Sequence, residues 1–265
     1  MAGFHIIYQT QVPLRADASD AAEMVTELLF GDLVEVMQEK AQWRRIRNQY
    51  DGYEGWIDEK AIHSVSDQWV SEIQHWEYVH SPYSPVLCKV GEKAFPLKLT
   101  FGARIPIHPY NSSQQSIALE LGKVRMRIPR MSLRPYNKPE AQSVLKISEE
   151  YLGAPYLWGG RSIWGLDCSG LTQMVYALHG VELPRDASQQ VKHGQEVAFA
   201  DRQPGDLAFF ENDKGRVHHV GIVLEENEIR HAHGNVHDDT LDETGIYNRI
   251  TERKTHRLLS VKRFL

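Results

Sequence analysis

The chain has 265 residues, enough for two or three modules, and its 42% hydrophobic and 25% charged content is ordinary for a globular protein. A net charge of −5 argues against the basic field of a nucleic-acid binder, and no run approaches the roughly 18 apolar residues of a membrane span. The opening Met1-Ala2-Gly3-Phe4-His5 lacks the basic start and long apolar run of a secretory leader, so the expectation is a cytoplasmic protein without nucleic-acid or membrane partners. In that compartment Cys88 and Cys168 are expected to stay reduced.

The first 65 residues are predicted to form short strands: Gln11–Arg15, Met24–Phe30, Leu33–Met37, Trp43–Arg47 and a closing segment through Ile57, separated by Gly and Asp turns. Such runs suggest a small barrel. Val12-Pro13-Leu14-Arg15, Leu29-Phe30-Gly31-Asp32, Trp43 and Gly55-Trp56-Ile57 together resemble a bacterial SH3-like (SH3b) domain. Residues 66–135 repeat the strand pattern, at Val86–Val90, Lys98–Phe101, Arg104–His108, Ser116–Leu121 and Lys123–Ile128, and suggest a second, more divergent SH3-like barrel. Cys88 lies in one of these apolar runs and is expected to be a small core hydrophobe. The proline-bracketed segment Arg134–Pro139 is the predicted boundary.

Beyond it the period changes. Ala141, Val144, Leu145, Ile147, Ser148 and Leu152 fit an amphipathic helix stopped by Gly153 and Pro155. After the glycine turn at Gly159-Gly160, the residues following Cys168 recur at helical spacing as far as Gly180. Leu207–Phe210, Val220–Leu224 and Glu228–His233 are predicted strands. Helices followed by strands make residues 136–265 an α+β domain.

Cys168 is placed in the first turn of its helix, where free N–H groups and the positive helix end are expected to lower the thiol pKa. A thiolate nucleophile needs a base, and His219, opening an apolar strand, is the candidate. His231 suits the task of orienting that imidazole. The two histidines share a sheet face only if the loop between their strands has an odd number of residues, as a turn at Glu225-Glu226-Asn227 or one longer by a residue at each end would. A lone cysteine at a helix start, or a lone strand histidine, is more often structural, so the weight falls on the ordered set. That set is Gly159-Gly160, Asp167-Cys168-Ser169-Gly170, Gly205-Asp206, His219-Val220-Gly221-Ile222 and His231.

The set resembles the NlpC/P60 family of papain-like cysteine peptidases. The resemblance implies Cys168 as nucleophile, His219 as base and His231 as the orienting residue, with His218 the competing assignment. It implies no cofactor. A zinc site from His218, His219, His231, His233 and His237 is disfavoured, because adjacent strand residues point to opposite faces and no helical His or Cys pair is present. Tyr156 is a further candidate to bring a hydroxyl to the site. The expected architecture is therefore multidomain: SH3-like barrels at 1–65 and 66–135, then an α+β papain-like NlpC/P60 domain at 136–265.

Within the family, SH3b modules resemble either wall tethers of secreted hydrolases or parts of a pocket selecting short peptides with a free N-terminal L-Ala. The acidic charge and the carboxylates near the site favour the second. The resemblance then implies γ-D-glutamyl-L-diamino acid endopeptidase activity of the dipeptidyl-peptidase VI type, acting on small murein peptides during wall recycling. It matches Asp186 to the substrate amine, with Glu23 and Tyr53 as its partners, and Asp167, Ser169 and Ser188 to the peptide backbone or D-Glu carboxylate. Asp186 equally suits an N-cap for a helix from Ala187. Ala187 itself departs from the serine common at that position. A secreted hydrolase of intact wall and a papain-like amidase or acyltransferase remain the alternatives.

Overall fold

Period-two alternation builds the first half of the chain: in Gln11–Arg15 the buried residues are Val12 and Leu14, and in Ser116–Leu121 they are Ile117, Leu119 and Leu121. The computed structural model describes residues 3–81 and 83–265. It divides into a unit ending at Tyr136 and a second unit, Asn137–Leu265.

In the first unit, strands β1 (Phe4–Ile7), β2 (Gln11–Arg15), β3 (Met24–Leu29), β4 (Leu33–Lys40), β5 (Trp43–Asn48), β6 (Glu54–Asp58) and β7 (Ile62–Ser64) form one sheet in the order β3-β2-β6-β5-β4-β1-β7. A short helix α1 (Asp67–Ser71) leads to β8 (His75–Val79), β9 (Tyr83–Val90), β10 (Lys93–Thr100), β11 (Arg104–Ile107), β12 (Ser116–Leu121), β13 (Val124–Pro129) and β14 (Leu133–Pro135). These make two smaller sheets, β10-β9-β13-β12 and β11-β8-β14.

The 65/66 position, expected to divide two modules, lies inside this unit. Neighbours Ile6 and Ile7 on β1 point to opposite sides: Ile7 joins a core with Leu14, Val34 and Ile46, whereas Ile6 joins Phe30 and Leu33 in a core with Val79, Val86, Cys88 and Ile105. Gly31 sits in the left-handed region (φ +91°), and a Cβ there would lie 1.6 Å from the Arg104 carbonyl, so only glycine permits the approach. Arg104 pairs with the Asp32 carboxylate at 3.0 Å beside it. Cys88 is fully buried in this core, as expected, and burial pushes its thiol pKa up.

The second unit opens with α2 (Ala141–Glu149), a ribbon of β15 (Arg161–Ser162) and β16 (Gly165–Leu166), α3 (Cys168–Ala177) and α4 (Ala187–Gln190). The strands β17 (Gln195–Val197), β18 (Leu207–Glu211), β19 (Val217–Val223), β20 (Glu228–His233), β21 (Asn235–Asp242), β22 (Gly245–Asn248) and β23 (Arg253–Arg263) follow, in the order β17-β23-β18-β19-β20-β21-β22. Every residue of α3 is buried, the pattern of a helix enclosed on all sides.

Strand β23 pairs with three others, one of them β17 through residues 261–263. Its residues 257–262 lie along β18, and residues 253–257 lie along β22, so strands β18 to β23 close into a ring. Gly245 permits that closure: a Cβ on it would meet the His256 carbonyl at 1.8 Å. Among the described residues no helix is long and apolar enough to cross a membrane.

Candidate active site

The N-terminus of α3 is built by Asp167. As N-cap it accepts the Gly170 N–H at 2.7 Å, and its other oxygen accepts the Gly159 N–H at 2.8 Å, which fastens the glycine turn to the helix start. The buried Arg185 guanidinium forks onto both oxygens at 2.9 and 2.7 Å and also donates to Ser169 Oγ at 3.0 Å. Ser169 in turn lies 3.3 Å from the Asp167 carboxylate. Both side chains were expected to meet a substrate. In this structure they hydrogen-bond each other and Arg185, which holds the helix end in place.

Cys168 is the first residue of that helix and is 7% exposed. The helix end does not decide the thiol pKa. Burial pushes it up to about 12, with the adjacent Asp167 charge adding, while the Val220 and Ser169 N–H groups and Arg185 pull the other way. The expected lowered thiol is therefore corrected: the resting group is a neutral thiol. Its hydrogen bond from Val220 sets the sulfur beside the residue that follows His219, and α3 packs on β19.

Tyr156 lies close enough to feel the same charges. Burial first, then Cys168 and Asp167, raise its phenol to about 12. Its backbone N–H bonds the Gly234 carbonyl at 2.9 Å, tying the segment before the glycine turn to the end of β20.

The parity condition on the histidines is met. Ile222 pairs with Arg230 and Val223 with Ile229, leaving residues 224–228 between them, with Glu226 and Asn227 in the left-handed region (φ 52° and 64°). His219 and His231 therefore share a face, and His219 Nε2 lies 2.8 Å from His231 Nδ1. His219 is 4% exposed, whereas His218 is solvent-exposed. The β18–β19 register shifts between Phe210↔His219 and Glu211↔Val217, so His218 is the extra residue of a bulge. That bulge breaks the alternation assumed for adjacent histidines: the rings of both lie near His256, at centroid distances of 5.5 Å for His218 and 4.1 Å for His219.

Two residues escaped the sequence reading. His256, from β23, stacks on His219 with planes 23° apart. Asp239, from β21, is fully buried and accepts from His231 Nε2 at 3.1 Å. Burial lowers the pKa of His219 well below the usual imidazole value, with His256, His231, His233 and His218 adding repulsion. Burial and the same neighbours bring His256 down to about 3, and His231 is also lowered, mainly by burial. The His219–His231 pair is thus neutral at physiological pH.

Ligand nitrogens of His219, His231 and His256 lie within 4.8 Å of one another, as do the ligand atoms of His231, His237 and Asp239. The His219 and His256 rings are stacked 23° from parallel, an arrangement in which in-plane lone pairs converge poorly on one ion about 2.0–2.1 Å away. In the second group the nitrogens face a carboxylate at 3.1 Å, a hydrogen-bond distance.

The remaining expected site residues lie on α4 and in the first unit. Asp186 is the N-cap of α4, the capping alternative, with the Gln189 side chain accepting its backbone N–H at 3.3 Å. Gln190 ties α4 to α3 by donating to the Ser169 carbonyl at 3.1 Å and accepting from Thr172 at 2.8 Å. Ser188 is exposed on α4. Glu23, exposed before β3, and Tyr53, half-buried before β6, belong to the first unit.

Comparison with known proteins matches two segments of the chain. Residues 153–255 match the NlpC/P60 family, and residues 14–62 match the bacterial dipeptidyl-peptidase SH3 domain. A γ-D-glutamyl-L-lysine dipeptidyl-peptidase of Bacillus cereus is 29% identical over 229 residues, covering 81% of this chain and 68% of that protein. Dipeptidyl-peptidase 6 of Lysinibacillus sphaericus is 27% identical over 260 residues, covering 90% of this chain and 92% of that one. The crystal structure of an NlpC/P60 family protein from Bacillus cereus shares the fold, with a TM-score of 0.83 at 22% identity over 99% of this chain and 100% of the other.

Proposed function

From the premise that the chain joins an NlpC/P60 domain to a bacterial SH3 domain and is homologous to γ-D-glutamyl-L-lysine dipeptidyl-peptidases, we propose that it is a cysteine peptidase of wall-derived peptides. The bond cut in this reading is the one between γ-D-glutamate and the diamino acid, in peptides with a free N-terminal L-Ala. The observation that carries it is the buried His219–His231 pair at 2.8 Å, with His219 directly preceding the Val220 whose N–H meets the Cys168 sulfur. Cytoplasmic recycling of wall peptides is the setting that goes with it.

Because thiol and imidazole both rest neutral, proton transfer accompanies attack. As Cys168 Sγ bonds to the amide carbon, His219 takes the thiol proton and the carbonyl oxygen becomes an oxyanion at the α3 N-terminus, where this reading assigns the first-turn Cys168 N–H as its donor. His219 then gives the proton to the departing amine, leaving a thioester. Water hydrolyses it, with His219 as base. Asp186 is the carboxylate this reading assigns to the substrate ammonium, which needs a negative partner when desolvated.

The test is mass spectrometry after incubation with L-Ala-γ-D-Glu-meso-diaminopimelate, its lysine counterpart and its N-acetylated form, with Cys168→Ala as control. Release of L-Ala-γ-D-Glu from the free-amine peptides alone supports the reading, and Glu23→Gln, Tyr53→Phe and Asp186→Asn are then expected to raise KM. Equal cleavage of the acetylated peptide would favour a hydrolase of intact wall. No Cys168-dependent cleavage at all would favour an amidase or acyltransferase with another substrate.

A further inference from the structure

Behind His231 lies a residue that the family motif does not include. Asp239 points from β21 into the ring of strands, fully buried, and its Oδ2 accepts from His231 Nε2 at 3.1 Å. The same oxygen lies 2.8 Å from Asn248 Nδ2 and 3.1 Å from His237 Nε2, and Oδ1 accepts the Arg249 backbone N–H at 3.0 Å. The other His237 nitrogen faces the Asn235 carbonyl at 3.0 Å. The Arg249 guanidinium turns away, to Glu228 at 2.7 Å and Thr240 at 3.1 Å.

A buried carboxylate with this set of donors has one role toward His231: it accepts. Burial alone would favour its neutral form, but the His231, Arg249 and Asn248 donors more than offset that and hold the carboxyl well below the usual range. The proton assignments then follow in order. His231 carries its proton on Nε2. Being neutral, it has a bare Nδ1, which must accept from His219 Nε2 across 2.8 Å. His219, also neutral, is left with a bare Nδ1.

We infer that Asp239 is the positioning residue of this site, fixing the tautomer of His231 and through it that of His219, so that His219 Nδ1 is the nitrogen that takes the Cys168 proton. This rests on the peptidase reading for its consequence in rate, though not for the tautomers themselves. An asparagine at 239 has no good orientation. Its amide NH2 either faces the Arg249 N–H, donor against donor, or faces His231 Nε2. In the second case His231 must protonate Nδ1, His219 must accept at Nε2, and its base nitrogen is blocked.

The first experiment needs no variant: 15N NMR of the imidazoles in the wild-type full chain at neutral pH. His231 protonated on Nε2 and bare on Nδ1 is the expected result, and the reverse tautomer overturns the inference. The second uses Asp239→Asn, His231→Ala and the double variant on the diaminopimelate tripeptide. Asp239→Asn is expected to lower kcat by about 10²–10⁴ with KM little changed, as loss of a tautomer-fixing aspartate does in serine proteases. In the His231→Ala background it should cost nothing further, because it acts through that ring. Losses that multiply, or a KM effect alone, would mean Asp239 serves only the fold. Wild-type protein that cleaves nothing would sink the peptidase reading while the NMR still decides the tautomer.

Discussion

His256 lies face to face with His219, ring centroids 4.1 Å apart, so the proposed base is covered by a second imidazole contributed from β23. The cover keeps water from His219 and adds to the burial that depresses its pKa. Replacing His256 with alanine should let water in and raise the His219 pKa. The acid limb of the kcat/KM profile should then move to higher pH. His256→Phe, which keeps a ring over His219, should leave the limb closer to wild type. A pH–rate series on the three proteins checks this, and coincident acid limbs would remove His256 from that role.

Alkylation reports the thiol directly. With its pKa pushed up to about 12, Cys168 has little thiolate at neutral pH. Its reaction with iodoacetamide in His219→Ala protein should be slow at pH 7 and rise about tenfold per pH unit through the alkaline range. A plateau below pH 8, followed by intact-mass spectrometry, would show that the helix end outweighs burial after all.

Acid should loosen the second unit before it protonates carboxylates. His219, His231 and His256 have folded pKa values below the unfolded 6.5, so between those limits the unfolded chain binds more protons. Stability is therefore full above pH 6.5 and falls as pH drops toward about 3, the His256 value. Asp239, also depressed, adds a loss that begins near its unfolded 3.8 and continues downward. Melting temperature measured from pH 8 to 4 should start to fall near 6.5, by roughly 2–4 °C per kcal/mol lost in a chain of this size. A flat curve to pH 5 would contradict the burial of these rings.

Arg185 and Asp167 form a fork that is almost wholly buried, with side-chain exposures of 1% and 9%. Removing one partner of such a pair typically costs about 3–5 kcal/mol, because a charge is left without its counterion. Arg185→Met should lower the urea midpoint and, by freeing the α3 start, slow peptide cleavage. Arg185→Lys keeps the charge but loses the fork and should fall between the two.

Much of this site was legible because its signals are local. Cys168, His219 and His231 sit in short motifs, and the parity of one hairpin loop was enough to set the two histidines on a common face. Asp239 and His256 were not legible. Asp238 and Asp239 are equivalent in sequence, and only the β20–β21 register, with Arg230 opposite Asp238 and His231 opposite His237, turns the second one inward. His256 reaches the site through a strand that pairs with β18, some fifty residues earlier in the chain. The bulge at His218 carries no glycine to announce it. The raised thiol pKa is not legible either, because helix-end electrostatics can be read from a motif, whereas enclosure of α3 on every side cannot.

Strand β23 has one more consequence, for the fate of damaged molecules. It is the neighbour of β17, β18 and β22, so its undocking bares three strand edges at once, one of them Leu207-Ala208-Phe209-Phe210. Unpaired edges of that apolar character are templates for intermolecular pairing. The same event carries His256 away from His219. Loss of activity and onset of aggregation should therefore share a single trigger, and Gly245→Ala, which obstructs the β22–β23 approach, should bring on both at the same temperature.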